Sequence, residues 1–220
     1  MIELTPTIMS YSSEDFSDLI TRYNIFTSID IDIVRSPFEG KETLQIDEIL
    51  NLAHNLSGKT ISFHIMSVNP IVEIEKLIAS EVQINNKLRA YVHQESEIDW
   101  LIDRKDEFPF EIDLCISIDT EFKDLEYYKK FTEIQLMSHS VGVSNTGFDS
   151  RVEGRVEYLR KIGYNGRVSL DGGVSLESAI RIKNLDIQKV TANTYFKGNE
   201  DVQVLYKQLF EALNTLNNIS

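Results

Sequence analysis

The chain has 220 residues, 42% hydrophobic and 26% charged, with one cysteine and a formal net charge of −13 from 35 acidic and 22 basic residues. That length suits one α/β domain, no segment reaches the ~18 apolar residues of a membrane helix, and a lone cysteine forms no internal disulfide, which points to a cytoplasmic protein. The acidic balance argues against nucleic acid and anionic membranes as partners, but leaves small anionic substrates open, because a local patch of donors is enough to hold them.

The first apolar run, IELTPTIM (2–9), has no basic stretch before it and reads as a strand rather than a signal peptide. SEDFSDLITRY (13–23) opens on Ser and acidic residues, a helix start. IFTSIDIDIV (25–34) is the second strand, and IDEILNLAHNL (46–56) puts Ile46, Ile49, Leu50 and Leu52 on roughly one helical face. KTISFHIM (59–66) is followed by NPIVEIEKLIAS (69–80), with Asn69 as cap and Pro70 in the first turn, where proline is tolerated. LRAYVHQ (88–94), ESEIDWLIDRKDE (95–107), PFEIDLCISI (109–118) and DLEYYKK (124–130) continue the alternation. Cys115 lies inside an apolar run, so burial is expected rather than a catalytic thiol. FTEIQLMS (131–138) precedes DSRVEGRVEYLRKIG (149–163), whose basic end and Gly163 form a stop signal. GRVSLDGG (166–173), SLESAIRIKNL (175–185), IQKVTANTYF (187–196) and NEDVQVLYKQLFEALNTL (199–216) complete the series.

No Gly/Ser or Pro-rich linker interrupts this order, so residues 1–220 are expected to form a single domain. Strict alternation of strands and helices predicts parallel strands joined by crossover helices. Eight such units in this length predict a (β/α)8 TIM barrel, with an open doubly wound sheet as the alternative. In a barrel, chemistry belongs at the C-terminal ends of the strands.

Those ends carry the informative residues. Strand side chains alternate, so Asp30 and Asp32 point the same way while Ile29, Ile31 and Ile33 point the other. Two carboxylates aimed into a barrel mouth repel unless a cation or shared proton relieves them; a solvated acidic edge is the plainer reading. The third strand ends in Phe63-His64-Ile65-Met66 and the fourth in Val92-His93-Gln94-Glu95. His64 alone is as well explained by a hydrogen-bonded core histidine, but the neighbouring Asp pair makes it a ligand candidate. The seventh strand ends in Asp171-Gly172-Gly173, and a helix follows: glycines let backbone approach a ligand, and a helix start offers N–H groups to an anion, although a tight turn uses the same residues. Asn193 and Thr194 end the last strand with small polar groups beside it.

Taken in order, these segments resemble the ribulose-phosphate 3-epimerase family over nearly the whole chain. Pro6-Thr7-Ile8-Met9-Ser10 is similar to that family's Pro-Ser-Ile-Leu-Ser strand, and IDIVRSPF (31–38) to its Val-Asp-Val-Met-Asp-Gly-x-Phe stretch. Phe63-His64-Ile65-Met66 with Asn69-Pro70, Val92-His93-Gln94-Glu95, Met137…Gly142…Phe148, and Leu170-Asp171-Gly172-Gly173-Val174 fall at the family's other motifs. The resemblance implies a barrel of the ribulose-phosphate-binding type and an isomerase of carbohydrate metabolism, in the pentose phosphate pathway. Its substrate would be a ketose phosphate inverted at C3, most directly D-ribulose 5-phosphate to D-xylulose 5-phosphate. A related ketose phosphate such as allulose 6-phosphate, or a non-catalytic sugar-phosphate-binding relative, are the alternatives.

By position, the resemblance makes Asp32 and Asp171 the acid and base. It also makes Asp30, Asp32, His64 and Asp171 the ligands of a divalent metal (Zn, Mn, Fe or Mg). Met66 and Met137 would flank the substrate and Thr7 touch it. Gly142, Gly172, Gly173, Asn193 and Thr194 would bind its phosphate, through backbone donors rather than lysine. A homo-oligomer, by analogy a dimer, is also implied. The chain departs from the family in several places. Asp30 stands for a His ligand, and Val34 for a Met. Arg35-Ser36 stands for Asp-Gly, SHSVGVSNTG (138–147) for a Gly-rich loop, and Asn193-Thr194 for Gly-Ser. Replacing His by Asp makes the ligand set richer in oxygen, which favours Mn or Mg over Zn.

Overall fold

A computed structural model describes residues 1–38, 41–52, 56–80, 86–140, 147–198 and 201–215. Eight strands alternate with helices: β1 Glu3–Ile8, β2 Ser28–Val34, β3 Thr60–Met66, β4 Lys87–His93, β5 Glu111–Ile116, β6 Glu133–Met137, β7 Arg167–Asp171 and β8 Lys189–Ala192. The helices are α1 Ser13–Arg22, α2 Ile46–Leu52, α3 Ile71–Ala79, α4 Asp99–Arg104, α5 Leu125–Tyr128, α6 Arg151–Lys161, α7 Leu176–Ile182 and α8 Val202–Asn214. Every neighbouring pair of strands is parallel, and β8 pairs back onto β1, so the sheet is closed. The fold is the (β/α)8 TIM barrel that the alternation predicts, not an open sheet.

Local chemistry sets the helix ends. Ser12 caps α1 by accepting the Asp15 N–H, Asp124 caps α5 through Tyr127 N–H, and Asp201 caps α8 through Gln203 N–H. After α6, Gly163 takes a φ of 93°, the left-handed conformation that stops a helix. Some elements are shorter than the pattern suggests. The helix expected over 95–107 begins only at Asp99, because the chain first turns back: Ser96 N–H bonds His93 O and Glu97 N–H bonds Val68 O. The last strand stops at Ala192, and residues Thr194–Phe196 form a 3-10 turn.

The wall of the barrel separates two different interiors. Ile29, Ile31 and Ile33 on β2, Phe63 and Ile65 on β3, and Leu114 and Ile116 on β5 face outward into one continuous apolar layer under the helices. Phe16, Ile74, Leu77, Leu159 and Leu209 fill it from the helix side. Each such fully buried side chain contributes about 1.5–3 kcal/mol of transfer free energy, so this layer holds the fold together. The inside of the barrel is polar instead. Its only apolar cluster among the described residues is Tyr91, Cys115 and Met137. Around it, Tyr91 donates to Glu133 Oε1 at 2.7 Å, Arg89 reaches Asp113 and Glu133, and Lys189 Nζ lies 3.3 Å from Ser62 Oγ and 3.4 Å from Tyr91 OH. Burial opposes ionising Glu133, but Lys189 and Arg89 outweigh it and hold its carboxyl below the usual value. Such partners matter, because a buried charge without one costs several kcal/mol.

Candidate active site

Strand register assembles the site. β2 and β3 pair with Asp32 opposite His64, and β7 and β8 pair with Asp171 opposite Thr191. Barrel closure then sets β7 across from β3, so that Asp171 approaches His64. His64 Nδ1 lies 3.4 Å from Asp32 Oδ1 and 3.4 Å from Asp171 Oδ2. His64 is fully buried, while the two carboxylates are buried but reach the cavity above. The Thr191 hydroxyl donates to Asp171 Oδ1 and fixes its orientation.

Asp30 sits one inward position deeper on β2, paired with Thr7 and Ser62 on the flanking strands. Both of its oxygens are buried and accept no hydrogen bond from the described residues. Burial pushes its carboxyl up to about 7; Lys189 and His64 pull against that rise, while Asp32 and Asp171 add to it. A carboxylate with two unsatisfied buried oxygens is the condition a bound cation relieves. One ligand atom each from Asp30, Asp32 and His64 lies within 4.8 Å of the others, so two carboxylates and an imidazole fit a divalent metal. Asp171 lies outside this group and meets it only at His64, its Oδ2 3.4 Å from His64 Nδ1.

His64, His93 and Cys115 form a second buried trio at the same spacing. It suits a metal less well. Burial, then the surrounding carboxylates, push the Cys115 thiol well above its ordinary value, so it stays protonated, as expected for a buried cysteine. The two histidines bond each other directly, Nε2 to Nε2 at 2.9 Å.

Above the carboxylates opens a cavity of about 820 Å³. Asp32, Met66, Met137, Asp171, Gly172, Gly173, Asn193 and Thr194 all line it. Thr7, Asp30 and His64 do not line it; they are buried beneath its floor. Gly142 lies outside the described residues. Gly172 and Gly173 have φ of 81° and 66°, and at Gly173 the neighbouring backbone also leaves no room for a side chain. A Cβ on Gly172 would come 2.4 Å from His139 Nε2, and one on Gly173 would come 2.6 Å from Ser138 Oγ and 2.7 Å from Phe148 Cα.

Two features of this rim differ from the sequence reading. First, the helix start after Gly173 is partly self-satisfied. Ser175 and Ser178 form a capping box that takes the N–H of each, leaving fewer free donors for an anion. Second, cations are present: Arg181 and Lys197 line the cavity. Arg181 also pairs with Glu153 at 2.7 Å. Neither they nor His139 stood out in the sequence, because each sits beyond a strand end on an ordinary polar stretch. Arg35 is turned away from the site. Its guanidinium bonds Glu73 at 2.7 Å and the Val34, Thr43 and Leu44 carbonyls, bracing the chain after β2.

No protein-family model and no curated protein matches the chain. Solved structures do match it. KGPDC from Streptococcus mutans is 10% identical, with 97% of each chain covered and a TM-score of 0.67. A tryptophan synthase complex from Pyrococcus furiosus is 13% identical over 97% of this chain and 98% of that one, TM-score 0.66. TrpF from Jonesia denitrificans is 12% identical, with 97% of each covered, TM-score 0.65. At this identity the likeness establishes the fold. The chain is a TIM barrel with a carboxylate–imidazole centre at its strand ends.

Proposed function

We propose that this protein is a metal-dependent isomerase that inverts C3 of a ketose phosphate, with D-ribulose 5-phosphate and D-xylulose 5-phosphate as its substrate pair. The observation that carries this reading is the placement of Asp32 and Asp171. They come from β2 and β7, approach the same His64 nitrogen, and open into the same cavity. Inversion at carbon needs a base on one face and an acid on the other, and two carboxylates facing one cavity meet that need.

Asp32 takes the C3 proton from one face, and Asp171, protonated, returns one to the opposite face; the roles reverse for the other epimer. Asp30, Asp32, His64 and Asp171 would hold the divalent metal. When bound, it supplies positive charge against the negative charge that develops on the substrate oxygens. Met66 and Met137 give the reacting carbon apolar walls that exclude water. The phosphate lies at the Gly172–Gly173 and Asn193–Thr194 rim, near Arg181 and Lys197. KGPDC from Streptococcus mutans has also been solved in complex with a small-molecule ligand, which agrees with a ligand-binding role for a barrel of this fold.

The test is proton exchange. Purified protein with Mn²⁺, Zn²⁺ or Fe²⁺ and D-ribulose 5-phosphate in deuterated water is expected to incorporate deuterium at C3 and form D-xylulose 5-phosphate. Absence of exchange with all three metals would sink the pentose reading. Exchange with allulose 6-phosphate alone would move the substrate to the six-carbon series.

A further inference from the structure

His139 follows β6, lines the cavity and is half-buried. The proposed chemistry gives it no part. Its Nδ1 lies 3.0 Å from the Ser140 carbonyl oxygen. A carbonyl has no proton to give, so Nδ1 carries the hydrogen and donates it. Nε2 of the neutral ring is then a bare acceptor, and no described residue donates to it. This end of the ring lies over Gly172: a Cβ there would come 2.4 Å from Nε2 and 2.5 Å from Cδ2. Gly172 separates the Asp171 carboxylate from the turn at Gly173.

We propose that His139 Nε2 accepts a hydrogen bond from the C4 hydroxyl of the substrate and so selects the configuration at C4. The proposal rests on reading Asp171 as a group that acts at C3 and the Gly172–Gly173 rim as the seat of the phosphate. In a pentulose 5-phosphate, C4 is the carbon between C3 and the phosphate-bearing C5. Its hydroxyl is therefore the group that falls at Gly172, beside the His139 ring. A hydroxyl can donate to a bare nitrogen, whereas a phosphate dianion offers only acceptors and is repelled by it. Inversion at C3 leaves C4 untouched, so one fixed acceptor serves both epimers of the pair. A sugar with the opposite C4 configuration turns its hydroxyl away and leaves Nε2 unpaired.

The chain around His139 is tied down on each side, which suits a residue that reads configuration. Ser138 N–H donates to Asp171 O at 2.8 Å, and Ile118 N–H to His139 O at 3.5 Å. The Ser140 hydroxyl donates to the Asp119 carboxylate, which fixes the residue whose carbonyl orients the ring. His139 is thus held against β7 and against the loop after β5, with Nε2 left over for a ligand.

The test reads the ring nitrogen and the sugar separately. Long-range proton–nitrogen NMR of the chelator-treated protein is expected to show His139 protonated on Nδ1 and bare on Nε2. Adding D-ribulose 5-phosphate is expected to move the Nε2 signal, while inorganic phosphate, which has no C4 hydroxyl, leaves it in place. In C3 exchange with Zn²⁺ in deuterated water, His139→Leu is expected to raise KM for D-ribulose 5-phosphate about tenfold with little change in kcat, the weight of one hydrogen bond made equally to ground and transition states. L-Ribulose 5-phosphate, the C4 epimer of D-xylulose 5-phosphate, makes no such bond, so the preference for the D sugar falls by the same factor. His139→Gln, whose amide oxygen still accepts, keeps most of that preference. An unchanged D-to-L preference in His139→Leu, or an Nε2 signal moved equally by inorganic phosphate, overturns the C4 contact while C3 exchange continues. If the sugar moves the Nε2 signal but no C3 exchange occurs, the contact stands and the epimerase reading fails. If the sugar moves no signal of the protein, both fail.

Discussion

Asp32 and Asp171 lie far apart in sequence, yet each places a carboxylate oxygen 3.4 Å from the same atom, His64 Nδ1. Asp32 is brought there by its register with His64, and Asp171 by closure of the barrel. The two carboxylates therefore share a partner without sharing a strand pair.

Asp32→Asn and Asp171→Asn are each expected to lower epimerisation by about 10²–10⁴-fold, the usual contribution of a positioned acid or base. Their exchange patterns should differ. With Asp171→Asn, the C3 proton of one epimer still washes out into deuterated water through Asp32; with Asp32→Asn, only the other epimer exchanges. Equal loss of washout for both epimers in both variants would contradict the division of roles.

Asp30 makes the metal-free protein sensitive to pH. Burial raises its carboxyl from 3.8 to about 7 in the folded chain, while the unfolded chain ionises at the ordinary value. Between these values the folded state holds the extra proton, so stability falls as pH rises from about 4 to about 7 and levels off above. Asp30→Asn removes this contribution. Urea unfolding in the presence of a chelator is expected to give a flatter pH profile for Asp30→Asn than for wild type; parallel profiles would refute the assignment.

Gly173→Ala and Gly58→Ala separate backbone strain from collision. Both glycines have positive φ, 66° and 81°, but a Cβ on Gly58 meets nothing within 4 Å, whereas one on Gly173 runs into Ser138 and the Phe148 backbone. Gly58→Ala is expected to cost about 1–2 kcal/mol from conformation alone. Gly173→Ala adds an overpacking cost of roughly 1–3 kcal/mol. Equal urea midpoints for the two variants would remove the packing explanation.

Lys197→Ala is expected to raise KM for the sugar phosphate about fivefold with little change in kcat, in keeping with roughly 1 kcal/mol for an exposed charge near a phosphate. Arg181→Ala should have a smaller effect, because Glu153 already shares that guanidinium. Both effects should shrink in high salt. A fall in kcat at unchanged KM would place these residues elsewhere in the reaction.

The amino-acid order by itself determined the barrel. Apolar runs of strand length, separated by helical patterns with caps and stops, admit few other arrangements. Position at the strand ends also marked Asp32, His64 and Asp171, and the family resemblance added Met66 and Met137. The period-2 alternation assigned Asp30 the same direction as Asp32 but said nothing of depth. Two residues along a strand move a side chain about 6.6 Å, enough to carry Asp30 from the cavity to the floor beneath it. Only the tertiary structure decided that depth, the approach of Asp171 on β7 to His64 on β3, and the contact between His64 and His93. It also brought Arg181 and Lys197 to the rim, where the sequence had suggested backbone donors. These relationships depend on closure and register, which couple residues far apart in the chain, so no local pattern of residues records them.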